Sequence, residues 1–204
     1  MKIAVVTGEH GFREKDFDAV FRSMEDIEFI REDLDIFVDD PNQKEYETVV
    51  FYNFHRPYPT DQQAKAILDL TERGQGMVIL HHAILAFPNW ESYSEMCGIH
   101  DREFDYSPKQ TLQVQVTDPN HPITKGLTNW EMGDETYLMK SADEESTILL
   151  TVDHPNSMDV IGWAREYRNS RIFCLQSGHD NVTYSDPNFR IVLHQGIKWC
   201  AKKN

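Results

Sequence analysis

The sequence predicts an α/β protein whose mostly parallel, mixed sheet has helices on both faces. Short, fully apolar segments at residues 3–6 and 77–80 have the composition of strands buried on both sides. Amphipathic segments with helical spacing separate such strands, so strand and helix alternate through the first half of the chain. The 204 residues are near the size of one domain, roughly 150 residues, and we expect a single domain over residues 1–204.

The first half carries helix signals with defined ends. Apolar residues repeat at the spacing of one helix face over residues 17–24. Thr60 and Gln63 form a capping box at the start of a second helix, and Gly74 stands where a left-handed C-terminal cap belongs. Further strands are expected at residues 48–52 and, more weakly, at 28–30.

The second half predicts strands added to the sheet in the antiparallel direction. Apolar and polar residues alternate over 112–116, which is typical of a half-exposed strand. Residues 159–167 and 171–175 are close enough in sequence for a hairpin, and residues 148–152 form another strand. Asp186 and Pro187 then begin a closing helix.

Composition and charge exclude several classes of partner and compartment. The chain has 34 acidic and 20 basic side chains, a net charge of −14, which repels nucleic acid and anionic lipid. No apolar stretch is long enough to span a bilayer or to serve as the core of a signal peptide. Cys97, Cys174 and Cys200 have no paired spacing, so we expect a reducing cytoplasm and unreactive, packed thiols.

The histidines have an unusual distribution. Five of the nine follow the carboxyl end of a predicted strand: His10, His55, His81, His82 and His179. In open α/β sheets ligands bind beyond those ends, so parallel strands would bring these imidazoles to one edge. The alternative is that polar loops simply contain surface histidines.

The individual histidines have different expected positions. His81 and His82 are adjacent and point in opposite directions at a strand end, so one of them faces the cleft, and we favour His82. His100 either reaches the same edge from an acidic loop or is simply exposed.

Other side chains suggest a polar site with an apolar wall. Asp134, Glu135 and Tyr137 lie together in a loop or short strand and suit acid/base or metal chemistry. Either Trp163 or Tyr184 could offer an exposed ring as a platform for a sugar. Neither a G-x-G-x-x-G nor a P-loop pattern occurs, so no nucleotide cofactor is expected.

An ordered series of landmarks runs along nearly the whole chain: Val6-Thr7-Gly8, Leu80-His81-His82, His121-Pro122, Asp134-Glu135, Gly162-Trp163, Ser177-Gly178-His179 and Gly196-Ile197-Lys198-Trp199. This series resembles the ThuA-like (trehalose utilisation) family, which has a class I glutamine-amidotransferase-like, flavodoxin-like fold. Those amidotransferases carry a cysteine after the central strand, where this chain has histidines, so glutaminase activity is not expected.

The resemblance implies carbohydrate catabolism with a disaccharide or 3-keto-glycoside as substrate. We expect His82 and His179 as acid and base, and Glu135 or Asp134 as the orienting carboxylate. His82, His179 and Glu135 could instead hold a divalent ion, zinc above all. The remaining candidates for substrate contact are His10, His81, His100, Tyr137, Trp163 and Tyr184.

A non-catalytic sugar-binding or regulatory module on the same fold is the alternative, because fold does not fix function. The resemblance also implies association, with a homodimer as the simplest assembly. No exposed apolar stripe in the sequence requires it.

Overall fold

The computed structural model describes residues 1–202, which form a nine-stranded sheet with helices packed on it. The strands in chain order are β1 (Lys2–Gly8), β2 (Glu28–Asp33), β3 (Thr48–Asn53), β4 (Gly76–Leu80), β5 (Phe104–Val116), β6 (Trp130–Met139), β7 (Thr147–Thr151), β8 (Val160–Tyr167) and β9 (Ser170–Leu175). Their order in the sheet is β2-β1-β3-β4-β9-β8-β7-β5-β6.

The sheet has a parallel half and an antiparallel half. The pairs β2–β1, β1–β3, β3–β4 and β4–β9 are parallel. From β9 onward each pair, β9–β8, β8–β7, β7–β5 and β5–β6, is antiparallel. The prediction of a mostly parallel, mixed sheet with added antiparallel strands is therefore confirmed.

Helices cover both faces of the sheet. They are α1 (Glu14–Arg22), α2 (Leu34–Phe37), α3 (Asp61–Arg73), α4 (Glu91–Cys97), α5 (Asn181–Ser185) and α6 (Pro187–Cys200). Phe173 and Cys174 are consecutive in β9 and point to opposite faces. The α6 backbone at Gly196 lies directly on the Phe173 ring, whereas Cys174 Sγ lies 3.9 Å from the Cys97 carbonyl oxygen at the end of α4.

Local sequence signals account for several helix ends. The Thr60 hydroxyl and the Gln63 side chain form the predicted capping box of α3, and Gly74 ends that helix with φ +73°. The Asp186 side chain accepts from the Phe189 backbone N–H at the start of α6. Each bond satisfies backbone groups that a helix end leaves unpaired.

Strand boundaries in the second half differ from the predictions. Strand β5 begins at Phe104 rather than near residue 112, and β6 is a full strand where we expected a loop or short strand. The predicted alternation holds over residues 112–116, and a register shift between Ser107 and Gln110 interrupts the β5–β6 ladder, so this alternation does not extend back to Phe104.

The cysteines and the lengths of the helices can be compared with the expectations from the sequence. Cys97, Cys174 and Cys200 are free and buried. No helix within the described residues is both long and apolar enough to cross a lipid bilayer.

Gly76 provides a test of the packing between β4 and α6. A Cβ at this position would lie 2.5 Å from the Cys200 carbonyl carbon and 2.6 Å from Thr48 Oγ1. Because backbone on α6 would have to move, we expect Gly76→Ala to lower the free energy of unfolding by about 1–3 kcal/mol. Urea unfolding measures this change.

Gly11→Ala is the matched control, since nothing lies within 4 Å of a Cβ there. Equal stability of the two variants would contradict this account of the β4–α6 contact.

Candidate functional site

Four histidines meet at the carboxyl ends of the parallel strands. The rings of His10 and His82 are stacked with centroids 4.2 Å apart, and His81 lies 5.2 Å from His82 and 5.3 Å from His179. His55 lies apart from them, stacked on Phe87. The structure thus brings together four of the five histidines that follow strand ends.

The centre of this group is a convergence of two imidazoles and a carboxylate. His179 Nδ1 lies 3.3 Å from Glu135 Oε1 and 3.3 Å from His81 Nε2. His81 Nε2 in turn lies 3.7 Å from Glu135 Oε1. These three ligand-type atoms therefore face one small volume.

Hydrogen bonds fix the orientation and tautomer of His81. Its Nδ1–H donates to the Gln176 carbonyl oxygen at 2.7 Å, which leaves the Nε2 lone pair directed toward Glu135 and His179. The Tyr137 hydroxyl donates to that lone pair at 2.8 Å. Burial lowers the pKa of the His81 imidazole well below its usual value, so this ring is neutral.

His81, and not His82, contacts Glu135 and His179. His81 begins a 3-10 turn, His81–Leu85, with φ +52°, a left-handed conformation that changes the simple alternation of side chains at the strand end. His82 instead donates from Nε2 to the Tyr52 carbonyl oxygen at 3.0 Å. The expectation that His82 lies beside Glu135 and His179 is therefore wrong on geometry.

Asp134 supports the site from behind. Its carboxylate accepts backbone N–H bonds from Gly178 at 2.8 Å, from His179 at 3.1 Å and from Glu135 at 2.8 Å. Burial raises the pKa of Asp134 to about 6, although these hydrogen bonds favour the ionised form. Both oxygens are engaged by the backbone, so Asp134 holds the site residues in place.

Two buried tyrosines hold the same loop by its carbonyl oxygens. The Tyr52 hydroxyl donates to the Gly178 carbonyl at 2.8 Å and lies 2.7 Å from the Tyr184 hydroxyl. The Tyr184 hydroxyl donates to the His179 carbonyl at 3.1 Å. Sequence reasoning missed Tyr52 and Gln176, and their only signal was a polar group at the end of an apolar strand.

Electrostatics divide the histidines into two kinds. The hydrogen bond to Glu135 raises the pKa of His179. Burial lowers the pKa of His10, and it lowers that of His82 to about 3. The site therefore contains one imidazole that favours the charged form among three that favour the neutral form.

Several predicted substrate contacts lie elsewhere or are buried. Trp163 is 0% exposed and donates from Nε1 to the Cys97 carbonyl. Tyr184 is 1% exposed, so neither ring is a sugar platform. His100 is exposed, contacts Glu91 and lines an acidic pocket with Glu95 and Asp143.

A pocket of about 370 Å³ adjoins the convergence, and Glu135 and His179 are part of its lining. The β5 turn around Lys109 and the exposed Val182 of α5 complete the walls. Its volume is in the range of small-molecule sites, and His179 exposes 30% of its side chain there. The accessible chemistry is therefore that of His179 and Glu135, with His81 behind them.

The fold is similar to that of class I glutamine-amidotransferase-like α/β proteins, and histidines lie beyond the carboxyl ends of β4 and β9. A family model described as trehalose utilisation, ThuA, matches residues 2–200. The chain belongs to the ThuA family.

Solved structures with the same fold agree with this assignment. A ThuA-like protein from Parabacteroides merdae has a TM-score of 0.80 and 22% identity, covering 99% of this chain and 90% of that one. A ThuA-like protein from Bacteroides uniformis has a TM-score of 0.76 and 20% identity, covering 98% and 90%.

The amidotransferase fold is represented by a protein from Thermoplasma acidophilum that is described as part of a GMP synthase. Its TM-score is 0.58 at 11% identity, covering 98% of this chain and 94% of that one. No curated protein matches the chain significantly in sequence.

Because burial keeps His82 neutral, we expect the free energy of unfolding to fall as the pH is lowered. Its pKa is about 3 in the folded chain and about 6.5 when unfolded. The stabilisation is present above pH 6.5 and is lost as the pH falls toward 3, because the unfolded chain binds the proton first. By about pH 5 we expect His82 to account for about 2 kcal/mol of lost unfolding free energy.

Urea unfolding of the wild type and His82→Gln across this pH interval measures the effect. Glutamine retains a donor for the Tyr52 carbonyl but does not titrate, so its stability should depend less on pH. His100→Gln, at an exposed position, should behave as the wild type does. An unchanged pH dependence in His82→Gln would refute the assignment.

Proposed function

We propose that the chain is an enzyme that acts on a sugar by acid/base chemistry at His179 and Glu135. The observation that carries the proposal is the convergence of His81 Nε2, His179 Nδ1 and Glu135 Oε1 beside a pocket at the carboxyl edge of the parallel strands. The family description, trehalose utilisation, supports a carbohydrate as the substrate class.

His179 is the proton-transferring group. Glu135 accepts from its Nδ1–H and raises its pKa, which leaves Nε2 as the nitrogen that exchanges a proton with the substrate near neutral pH. With a keto-sugar, the exchanged proton is the acidified one on the carbon beside the carbonyl. Glu135 orients the ring and stabilises the imidazolium.

The buried groups act through His179 and Glu135. His81 is 0% exposed, and its neutral ring with Tyr137 forms the back of the site. Asp134 and the Tyr52–Tyr184 pair hold the loop at residues 178–179 from opposite sides. These positions give the pre-organised geometry that proton transfer needs.

The same three side chains are, as the alternative to this proton transfer, a ligand set for a divalent ion, which would replace the proton on His179 Nδ1 and the Tyr137 hydroxyl at His81 Nε2. The Nδ1–H of His81 is engaged by the Gln176 carbonyl, which is the outer hydrogen bond that orients a metal-binding imidazole. Two imidazoles and a carboxylate are a ligand set that zinc takes. When bound there, such an ion would polarise a sugar carbonyl.

The setting of this activity follows from sequence features. We place the enzyme in the cytoplasm because its three thiols are free, and association as a homodimer stays a prediction. A non-catalytic sugar-binding module would bind the same ligands without turnover.

Replacing His179 tests the catalytic proposal. Because His179 transfers the proton, we expect His179→Gln to lower kcat by about 100-fold to 10,000-fold on the active member of a panel of trehalose and 3-keto-disaccharides. Product formation followed by chromatography measures this loss. His194→Gln, on the exposed side of α6, is the matched control and should keep full activity. If the wild type binds a sugar of the panel but turns over no panel member, the proposal that the chain is an enzyme is contradicted.

Metal content tests the ligand set. If these residues act as metal ligands, plasma mass spectrometry on protein purified without chelator should find near-stoichiometric metal that is lost in His81→Gln and His179→Ala, whereas the acid/base alternative predicts none in any variant. His82→Gln should retain the metal, because His82 turns toward Tyr52. Metal that depends on His82 but not on His81 would contradict this geometry.

A further inference from the structure

Arg56 lies at the edge of the site between two aromatic rings. Its guanidinium carbon is 5.5 Å from the centre of the Phe54 ring and 5.6 Å from that of Phe104. The Phe54 ring contacts those of His10 and His82, with centroids 5.9 and 5.8 Å apart. Only one ring therefore separates Arg56 from the histidines.

The second ring leads to the other side of the same site. Phe104 packs edge-on against Tyr137 at 5.5 Å, and the Tyr137 hydroxyl bonds His81 Nε2. Arg56 lies three residues after the end of β3, so it also lies at the carboxyl edge where ligands bind in this class of sheet. Arg56, Phe54 and Phe104 are each half-buried and keep part of their surface in solvent.

Arg56 has no acidic partner, which is unusual in this chain. Most arginines pair with an Asp or Glu, as Arg168 does with Glu72 at 2.5 Å. Within residues 1–202 the Arg56 guanidinium donates from Nη1 to the Leu85 carbonyl and forms neither another hydrogen bond nor an ion pair. Burial and the neighbouring Arg102 lower the pKa of Arg56.

The neighbouring Arg102 likewise has no acidic partner among residues 1–202. Arg102 is 3% exposed and donates to the Ala86 and Phe87 carbonyls and to Ser94 Oγ. Two guanidinium groups thus lie close together with only neutral acceptors. In a chain with 34 acidic side chains, this local excess of positive charge favours an anion from outside.

We propose that the sugar bound at this site carries an acidic group, a carboxylate or a phosphate, and that Arg56 binds it. This inference rests on the proposed function and narrows its substrate class. The flanking Phe54 and Phe104 rings hold the guanidinium by cation–π contact, with its central carbon 5.5 and 5.6 Å from their centroids. Its edge N–H groups, Nε and Nη2, remain free for the two oxygens of an oxyanion. The acidic group would lie at the end of the sugar away from His179.

Matched pairs of sugars test this proposal by isothermal titration calorimetry. The probes are glucose, glucuronate and glucose 6-phosphate, measured on the wild type, Arg56→Gln, Arg56→Lys and Arg168→Gln. We expect the wild type and Arg168→Gln to bind at least one acidic sugar about tenfold tighter than glucose. The comparison of glucuronate with glucose 6-phosphate shows which acid is preferred.

Arg56→Gln should bind all three sugars with similar, weak affinity, and Arg56→Lys should retain part of the preference because it keeps charge without the planar fork. The preference should also fall as sodium chloride is added. Thermal unfolding confirms that each variant is folded. If Arg56→Gln does not fold, Arg56→Lys together with the salt dependence decides the question.

Three results would overturn the inference: equal affinity of the wild type for acidic and neutral sugars, no binding of any probe at millimolar concentration, or an acidic preference that survives in Arg56→Gln. Failure of the proposed function has a different signature. If acidic sugars bind in an Arg56-dependent way but are not turned over, the catalytic proposal is contradicted and the acidic-ligand inference stands. If the wild type and Arg56→Gln turn over neutral keto-sugars at equal rates, the acidic-substrate inference is contradicted and the catalytic proposal stands.

Discussion

The parallel pairing of β4 with β9 brings the site residues together. Leu80 pairs with Leu175, so the next residues on the two strands, His81 and Gln176, leave the sheet side by side. This adjacency allows the His81 Nδ1–H to reach the Gln176 carbonyl. A slip of one residue would reverse the side-chain directions of a whole strand and would separate His81 from His179.

The loop after β9 is held from two chemically different sides. Asp134 of β6 accepts from the N–H groups at residues 178 and 179, while Tyr52 of β3 donates to a carbonyl of the same peptide segment. Strand β6 lies at the far antiparallel edge of the sheet order, and β3 lies in the parallel half. The antiparallel strands therefore contribute to the site, because β6 places the carboxylates of Asp134 and Glu135 beside the loop that follows β9.

Within the described residues, several buried polar atoms in and around this site have no hydrogen-bond partner. Nδ1 of His10 and of His82 and the side-chain oxygens of Asn53 and Gln176 have no partner. An unpaired buried acceptor costs free energy, and such costs are concentrated where a site is kept ready for a ligand. Burial lowers the pKa of both rings of the stacked His10–His82 pair, because protonation of either ring would place a charge where solvent is partly or wholly excluded.

The sequence allowed the fold to be predicted well because its signals were local. Neighbouring residues determine the capping box at Thr60, the cap at Gly74 and the apolar strands. The location of the site was predictable for a different reason, because the residues that follow parallel strands lie at one edge of the sheet.

The errors in the site have a common physical cause. Whether His81 or His82 faces Glu135 depends on the φ +52° of His81, and the burial of Trp163 and Tyr184 depends on packing between distant segments. Arg56 was missed because an arginine after a strand is unremarkable until its lack of an acidic partner is seen in three dimensions.

The net charge of the whole chain and the local charge at the site have different effects on an anionic ligand. A net charge of −14 creates a field that repels an acidic sugar at long range, but salt at physiological concentration screens it beyond about 8 Å. Close to the site the balance is different, because His10, His81 and His82 are neutral, the Glu135 charge faces His179, and Arg56 and Arg102 have no acid beside them. An anionic ligand would therefore meet local attraction only after it has reached the edge of the sheet. Under the proposal, this arrangement would select ligands by the position of their charge relative to the sugar ring, since an acid placed at the other end would meet the Glu135 carboxylate instead.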